Sequence, residues 1–165
     1  VGLLLGEMPA LIAQGLISYQ ASGMRQNIYE QDGYHIYADC YNASPDAMEA
    51  TLSVLGGMAG DGRRFAVLGS MLELGDYAEE GHRRAGRAAA QYADALYAYG
   101  PDAAAMVAGA REKGMEHAYA FDDQTALVAA LREDAKKGDA LLFKGSRGMR
   151  MERALAMFLG EEVEA

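Results

Sequence analysis

Two short segments combine residue types and spacings that could do chemistry. Asp39-Cys40-Tyr41-Asn42-Ala43-Ser44-Pro45-Asp46 sets a carboxylate, a phenol and a carboxamide within four residues, directly after the β-rich run His35-Ile36-Tyr37-Ala38. A carboxylate at the carboxyl end of a strand stands at the edge where open α/β sheets bind ligands, and it can accept hydrogen bonds from ribose hydroxyls. Met48, Leu52 and Leu55 follow at i, i+4 and i+7, the spacing of a buried helix face. Ser44 fits an N-cap and Pro45 the first helical position, while Asp46 and Glu49 complement the helix dipole. Taken alone, these residues describe an ordinary capped turn at least as well as a ligand site. Lys144-Gly145-Ser146-Arg147-Gly148 is the second segment, a flexible cationic turn directly after the apolar run Ala140–Phe143. Its lysine and arginine suit a carboxylate or a phosphate, and Arg147 can form a bidentate pair. A solvated basic turn in front of a helix is the plain alternative.

The elements needed to present both segments on one edge are legible in the periodicity. Strand-like runs fall near 25–30, 35–39, 64–68, 95–99, 118–120 and 139–143, and helical patterns near 46–58, 78–93, 102–113, 123–136 and 149–159. This alternation predicts an α/β fold: a Rossmann-like, mostly parallel sheet of about six strands with helices on both faces. Asp32-Gly33 between the first two strands is a hairpin signal, which makes that pair antiparallel at one edge. A further helix around Pro9 to Ile17, with Leu11, Ile12 and Leu16 on one face, leads into Ser22-Gly23, which reads as a hinge. Residues 1–22 are therefore separated from a main domain over 23–165.

Composition narrows the function. The 165 residues, 51% hydrophobic and 24% charged, suffice for one core. A net charge of −9 argues against a nucleic-acid surface. Cys40 is the single cysteine, so no intrachain disulfide forms and a reducing, cytoplasmic compartment is expected. The apolar opening Val1–Gly6 is broken by Glu7 and Pro9, well short of the ~20 residues of a membrane span, and it lacks the basic region of a signal peptide. Such an abrupt apolar start suggests a chain cut from a larger protein.

No Gly-x-x-x-x-Gly-Lys-Ser/Thr phosphate loop is present; Gly109 to Gly114 has the glycine spacing but continues with Met115. Nor does a Gly-x-Gly-x-x-Gly follow a strand. His35, His82 and His117 are scattered without metal-ligand spacing, read as surface or half-buried side chains, and predict no metal site. There is no Gly-x-Ser-x-Gly elbow for a hydrolase. The methionines, Met48, Met106 and Met157 among them, read as core filler.

Three stretches together carry a family resemblance. The Asp39–Met48 turn resembles the Asp-x-Tyr-Asn-Ala-Asn-Pro-Asp-x-Met turn of the Mur ligases. Ala66–Gly75 with Glu79-Glu80-Gly81-His82-Arg83 resembles that family's second βα loop, and Leu141–Glu152 its last one. The branch most closely matched joins D-alanyl-D-alanine to UDP-N-acetylmuramoyl-tripeptide in peptidoglycan synthesis, and the match covers only the C-terminal third of such an enzyme. The resemblance implies ATP as cosubstrate, with Arg25, Asp39, Tyr41 and Asn42 on the nucleotide and Lys144, Gly145, Ser146 and Arg147 beside the incoming dipeptide. Phosphate loop and Mg²⁺ ligands would belong to the missing central domain, so no catalytic residue and no metal ligand is expected here. Residues 1–22 would be a helical remnant of the central-domain or linker region, and the rest a lid that closes on its own N-terminal and central domains. Alternatives are a Mur ligase adding a single amino acid and a non-enzymatic acidic α/β interaction module. Ala38 replaces the first acid of a frequent Asp-Asp pair, Ser44 replaces an asparagine, and Ser70 stands where an acid is frequent.

Overall fold

A computed structural model of the chain describes residues 6–17, 25–58 and 60–162. The hinge expected at Ser22-Gly23 lies outside the described residues. The elements are α1 (Pro9–Ile17), β1 (Asn27–Gln31), β2 (Tyr34–Asp39), α2 (Pro45–Leu55), β3 (Arg64–Gly69), α3 (Ala78–Tyr92), β4 (Ala95–Tyr99), α4 (Ala103–Glu112), β5 (Ala118–Phe121), α5 (Gln124–Asp134), β6 (Ala140–Lys144) and α6 (Met151–Leu159). The six strands form one sheet in the order β1-β2-β6-β3-β4-β5. The β1–β2 pair is antiparallel and every other pair parallel, as the sequence predicts. Asp32 and Gly33 both take positive φ, 54° and 88°, so the hairpin turn is the twist-matched type that an Asp-Gly pair favours.

Alternation along the strands sends successive side chains to opposite faces. Ala66, Leu68, Leu96 and Leu142 meet Met48, Leu52 and Leu55 of α2, Ala85 and Ala89 of α3, and Met106 and Ala110 of α4. Phe65, Val67, Tyr97, Leu141 and Phe143 meet Leu127 and Leu131 of α5 and Leu155 and Phe158 of α6. Helices α2 to α4 therefore carry the chain from β2 to β5 over one face. Helix α5 returns it over the other and inserts β6 between β2 and β3. A right-handed crossover that reverses its direction of travel has to change face, which explains the split. At β6 the outgoing helices of neighbouring strands leave on opposite sides, and such a switch point opens a crevice outside the carboxyl ends of the strands.

Several element ends depart from the sequence reading by a few residues, as where α2 stops at Leu55 rather than 58. The last helix starts at Met151 rather than 149, because Arg147–Met149 form a 3-10 turn and Arg150 adopts a left-handed φ of 47°. No helix among the described residues is long and apolar enough to cross a membrane.

Candidate functional site

The crevice between β2 and β6 is a cleft of about 360 Å³ lined by Arg25, Gln26, Asp39, Tyr41, Asn42, Ala47 and Lys144. Parallel pairing places Asp39 and Lys144 side by side as the last residues of their strands. Lys144 Nζ donates to Asp39 Oδ2 at 2.5 Å and to the Asn42 carbonyl at 2.9 Å, with the lysine only 2% exposed. The other carboxylate oxygen, Oδ1, accepts from the Gln26 backbone N–H at 3.3 Å. Each oxygen keeps a free lone pair, so Asp39 remains able to accept hydroxyl donors from the cleft. Tyr41 is exposed, and the Arg25 guanidinium lies 3.8 Å from its ring centroid. This stack supplies a flat surface at the cleft mouth. Asn42 Oδ1 accepts from Ala43 N–H at 2.9 Å, leaving the amide NH₂ without a partner among the described residues. Ser44 caps α2 through Ala47 N–H, as expected.

Just behind this cleft, Cys40 donates to the Phe143 carbonyl at 3.4 Å. Burial pushes its thiol up to about 12, helped by the Glu152 and Asp39 carboxylates, so it is neutral and unreactive at physiological pH.

The second segment divides. Lys144 belongs with Asp39, whereas Gly145, Ser146 and Arg147 lie outside the cleft lining. A Cβ on Gly145 would stand 3.1 Å from the Gly69 Cα and 2.7 Å from Met151 Cγ, so glycine there permits close approach of the β3 and β6 loops. Ser146 is buried and knits the same loops: its N–H donates to the Ser70 carbonyl, and its Oγ accepts from Leu72 N–H at 2.9 Å. Ser70 is itself fully buried, its Oγ accepting from Asp102 N–H at 3.0 Å, so the acid frequent at this position is replaced by an interior tie. Arg147 reaches outward, its side chain 63% exposed and paired with Glu152.

The histidine reading needs correcting at one position. His82 is completely buried, not a surface or half-buried residue. Its Nε2 accepts from Met71 N–H at 2.8 Å and its Nδ1 lies 2.6 Å from the Ala78 carbonyl, a pattern that assigns the proton to Nδ1. Asp102 lies 3.7 Å from Nε2, but that nitrogen's lone pair already faces Met71. His82 thus fastens the β3–α3 loop to its own helix. Sequence reasoning also passed over Gln26, Gln124 and Glu152. Gln124 Nε2 donates to the Met149 and Arg150 carbonyls from 25 and 26 residues away, a contact with no local signature. No cluster of three or more His, Cys, Asp or Glu among the described residues is placed to hold a metal ion.

A doubly faced parallel sheet with a polar cleft at its switch point is the architecture of a nucleotide-binding α/β domain. The family described as Mur ligase, glutamate ligase domain matches residues 24–147, and the chain belongs to this Mur ligase family. It is 36% identical over 154 residues to UDP-N-acetylmuramoyl-tripeptide--D-alanyl-D-alanine ligase of Bacillus subtilis, covering 92% of this chain and 34% of that protein. The enzyme of the same description from Treponema pallidum is 39% identical over 119 residues, covering 70% of this chain and 25% of that one. Among solved structures, MurF ligase from Thermotoga maritima in complex with ADP superposes with a TM-score of 0.80 at 32% identity, over 97% of this chain and 35% of that one. MurF from Acinetobacter baumannii gives 0.82 at 28% identity with the same coverage. The chain therefore spans about a third of the length of the relatives it matches.

Proposed function

We propose that this chain is the C-terminal domain of a cytoplasmic, ATP-dependent ligase that joins D-alanyl-D-alanine to UDP-N-acetylmuramoyl-tripeptide. In such an enzyme ATP and Mg²⁺ activate the tripeptide carboxyl as an acyl phosphate, which the dipeptide amine attacks. Mg²⁺ and the phosphate loop would sit in the preceding central domain, and residues 1–22 would be a helical remnant of that domain or of the linker. The observation that carries the proposal is the β2–β6 cleft. Asp39, held by Lys144 and still able to accept, suits ribose hydroxyls; the Arg25–Tyr41 stack suits a base; the Asn42 amide offers two donors. Gly145, Ser146 and Arg147 form a separate loop on the same edge, where Arg147 suits the dipeptide carboxylate. Swinging this edge onto the central domain would exclude water from the acyl phosphate, a gating role typical of mobile domains.

A chimera tests the assignment. Replacing the C-terminal third of the Bacillus subtilis relative with this chain should restore phosphate release that depends on both UDP-tripeptide and D-alanyl-D-alanine. A folded chimera that turned over only with a single amino acid would assign the chain to another branch of the family.

A further inference from the structure

The loop between β6 and α6 is fixed at its backbone but not at its charged tip. Ser146 ties one end to Ser70 and Leu72, and Gln124 grips the Met149 and Arg150 carbonyls at 2.8 and 3.2 Å. The Arg147 guanidinium has a single partner among the described residues, Glu152 Oε1, 2.5 Å from Nη1. Among the described residues, the one hydrogen bond that aims this side chain therefore comes from Glu152.

Glu152 is itself incompletely satisfied. Its side chain is 20% exposed, and Oε2 is the one buried side-chain polar atom among the described residues with no hydrogen-bond partner. A fork-to-fork pair with Arg147 would satisfy both oxygens, yet the pair is single-stranded, leaving most of the guanidinium donors turned to solvent. An acid in the first turn of α6 also complements the helix dipole. That effect accounts for a glutamate at this position but not for a carboxylate sunk with one oxygen unpaired. Such an atom is costly to bury and calls for an explanation.

We propose that Glu152 is the positioning residue of Arg147: it holds one edge of the guanidinium so that the remaining edge is presented, already aimed, to the carboxylate of the amine substrate. This inference rests on the role given above to Arg147. Glu152 touches no substrate; it acts by restricting the arginine to the productive direction before the ligand arrives, which is preorganisation.

The test uses the full-length ligase containing this domain, with each substrate varied in turn. Arg147→Ala should raise the KM for D-alanyl-D-alanine and leave that for ATP unchanged. Arg147→Lys should rescue it poorly, because an ammonium lacks the planar fork. Glu152→Gln, which keeps size and removes charge, should raise the dipeptide KM about tenfold or more, the loss expected when a group that orients a ligand contact is removed. Glu152→Asp, too short to reach, should do the same. Arg147→Ala with Glu152→Gln should be no worse than Arg147→Ala alone, since the two act as a unit. If the Glu152 variants lower only the thermal midpoint, or if the double variant is worse than either single one, Glu152 is merely structural and the inference fails. If Arg147→Ala leaves dipeptide use intact, the role of Arg147 falls and takes the inference with it.

Discussion

Asp39 and Lys144 show how a residue of the candidate site can be legible while its partner is not. Asp39, Asn42 and Ser44 announce themselves because strand end, turn and N-cap are local features. Lys144 reads equally as part of the Arg147 loop, yet it is the final residue of β6 and faces Asp39 across 105 residues of sequence. Only the insertion of β6 beside β2 creates that pair, and no local pattern encodes strand order. The pairing changes how the site should be probed. Deleting one member of a buried ion pair strands the other charge, so Lys144→Ala should destabilise the domain by about 3 kcal/mol in urea unfolding, the low end for such pairs because the cleft gives Asp39 some water. A loss below about 1 kcal/mol would class the pair with surface bridges. Asp39→Asn is the gentler probe of binding: it too removes the counter-charge of Lys144, but its amide oxygen can still accept from the ammonium and it keeps the shape. In the full-length enzyme it should raise the apparent KM for ATP roughly tenfold, the equivalent of one charged hydrogen bond. An unchanged ATP dependence would remove Asp39 from the nucleotide site.

At the scale of elements, periodicity and turn chemistry made the alternating strands and helices, the Asp-Gly hairpin and the α2 cap readable. How α3 and α4 pack was not readable, because it depends on two glycines with no local reason to be there. A Cβ on Gly86 would lie 1.8 Å from the Met106 carbonyl oxygen, and one on Gly109 would lie 2.0 Å from that of Arg83. Each glycine lets the partner helix's backbone touch. Gly109 attracts notice in the sequence only as half of a failed phosphate-loop spacing; Gly114, the other half, takes a left-handed φ of 83° just beyond α4. The same helices share ion pairs, Arg83 and Arg87 with Glu112, but these lie at the surface, where solvent screens them and they contribute little. Close packing decides the arrangement. Gly86→Ala should therefore cost about 3 kcal/mol or more, because backbone rather than a flexible side chain must move. Glu112→Gln should cost far less. Comparable denaturation midpoints for the two variants would mean that the helices are not held by the glycine contact.

For the whole molecule, the cleft offers a carboxylate acceptor, amide donors and a flat aromatic surface, but its cations are already engaged. Lys144 is committed to Asp39 and the Asn42 carbonyl, and Arg25 lies against Tyr41, so neither cation is free to neutralise a triphosphate without giving up a contact. A chain spanning about a third of its relatives, with the polar β2–β6 cleft on one edge and Arg147 on a neighbouring loop of that edge, suits the proposed lid that completes a site built elsewhere. The isolated chain should then neither hydrolyse ATP nor ligate. It should also bind adenosine and ATP with affinities within about tenfold of each other, a difference of about 1.4 kcal/mol, because no uncommitted cation among the described residues lines the cleft. Chemical-shift titration of the Tyr41 and Asn42 resonances would measure both affinities on the same protein. Shifts confined to the β2–β6 edge and nearly indifferent to phosphate number are the expected result. Turnover of ATP by the chain alone, or an affinity that climbs steeply from adenosine to ATP, would mean that this domain carries a phosphate site of its own and is more than a lid.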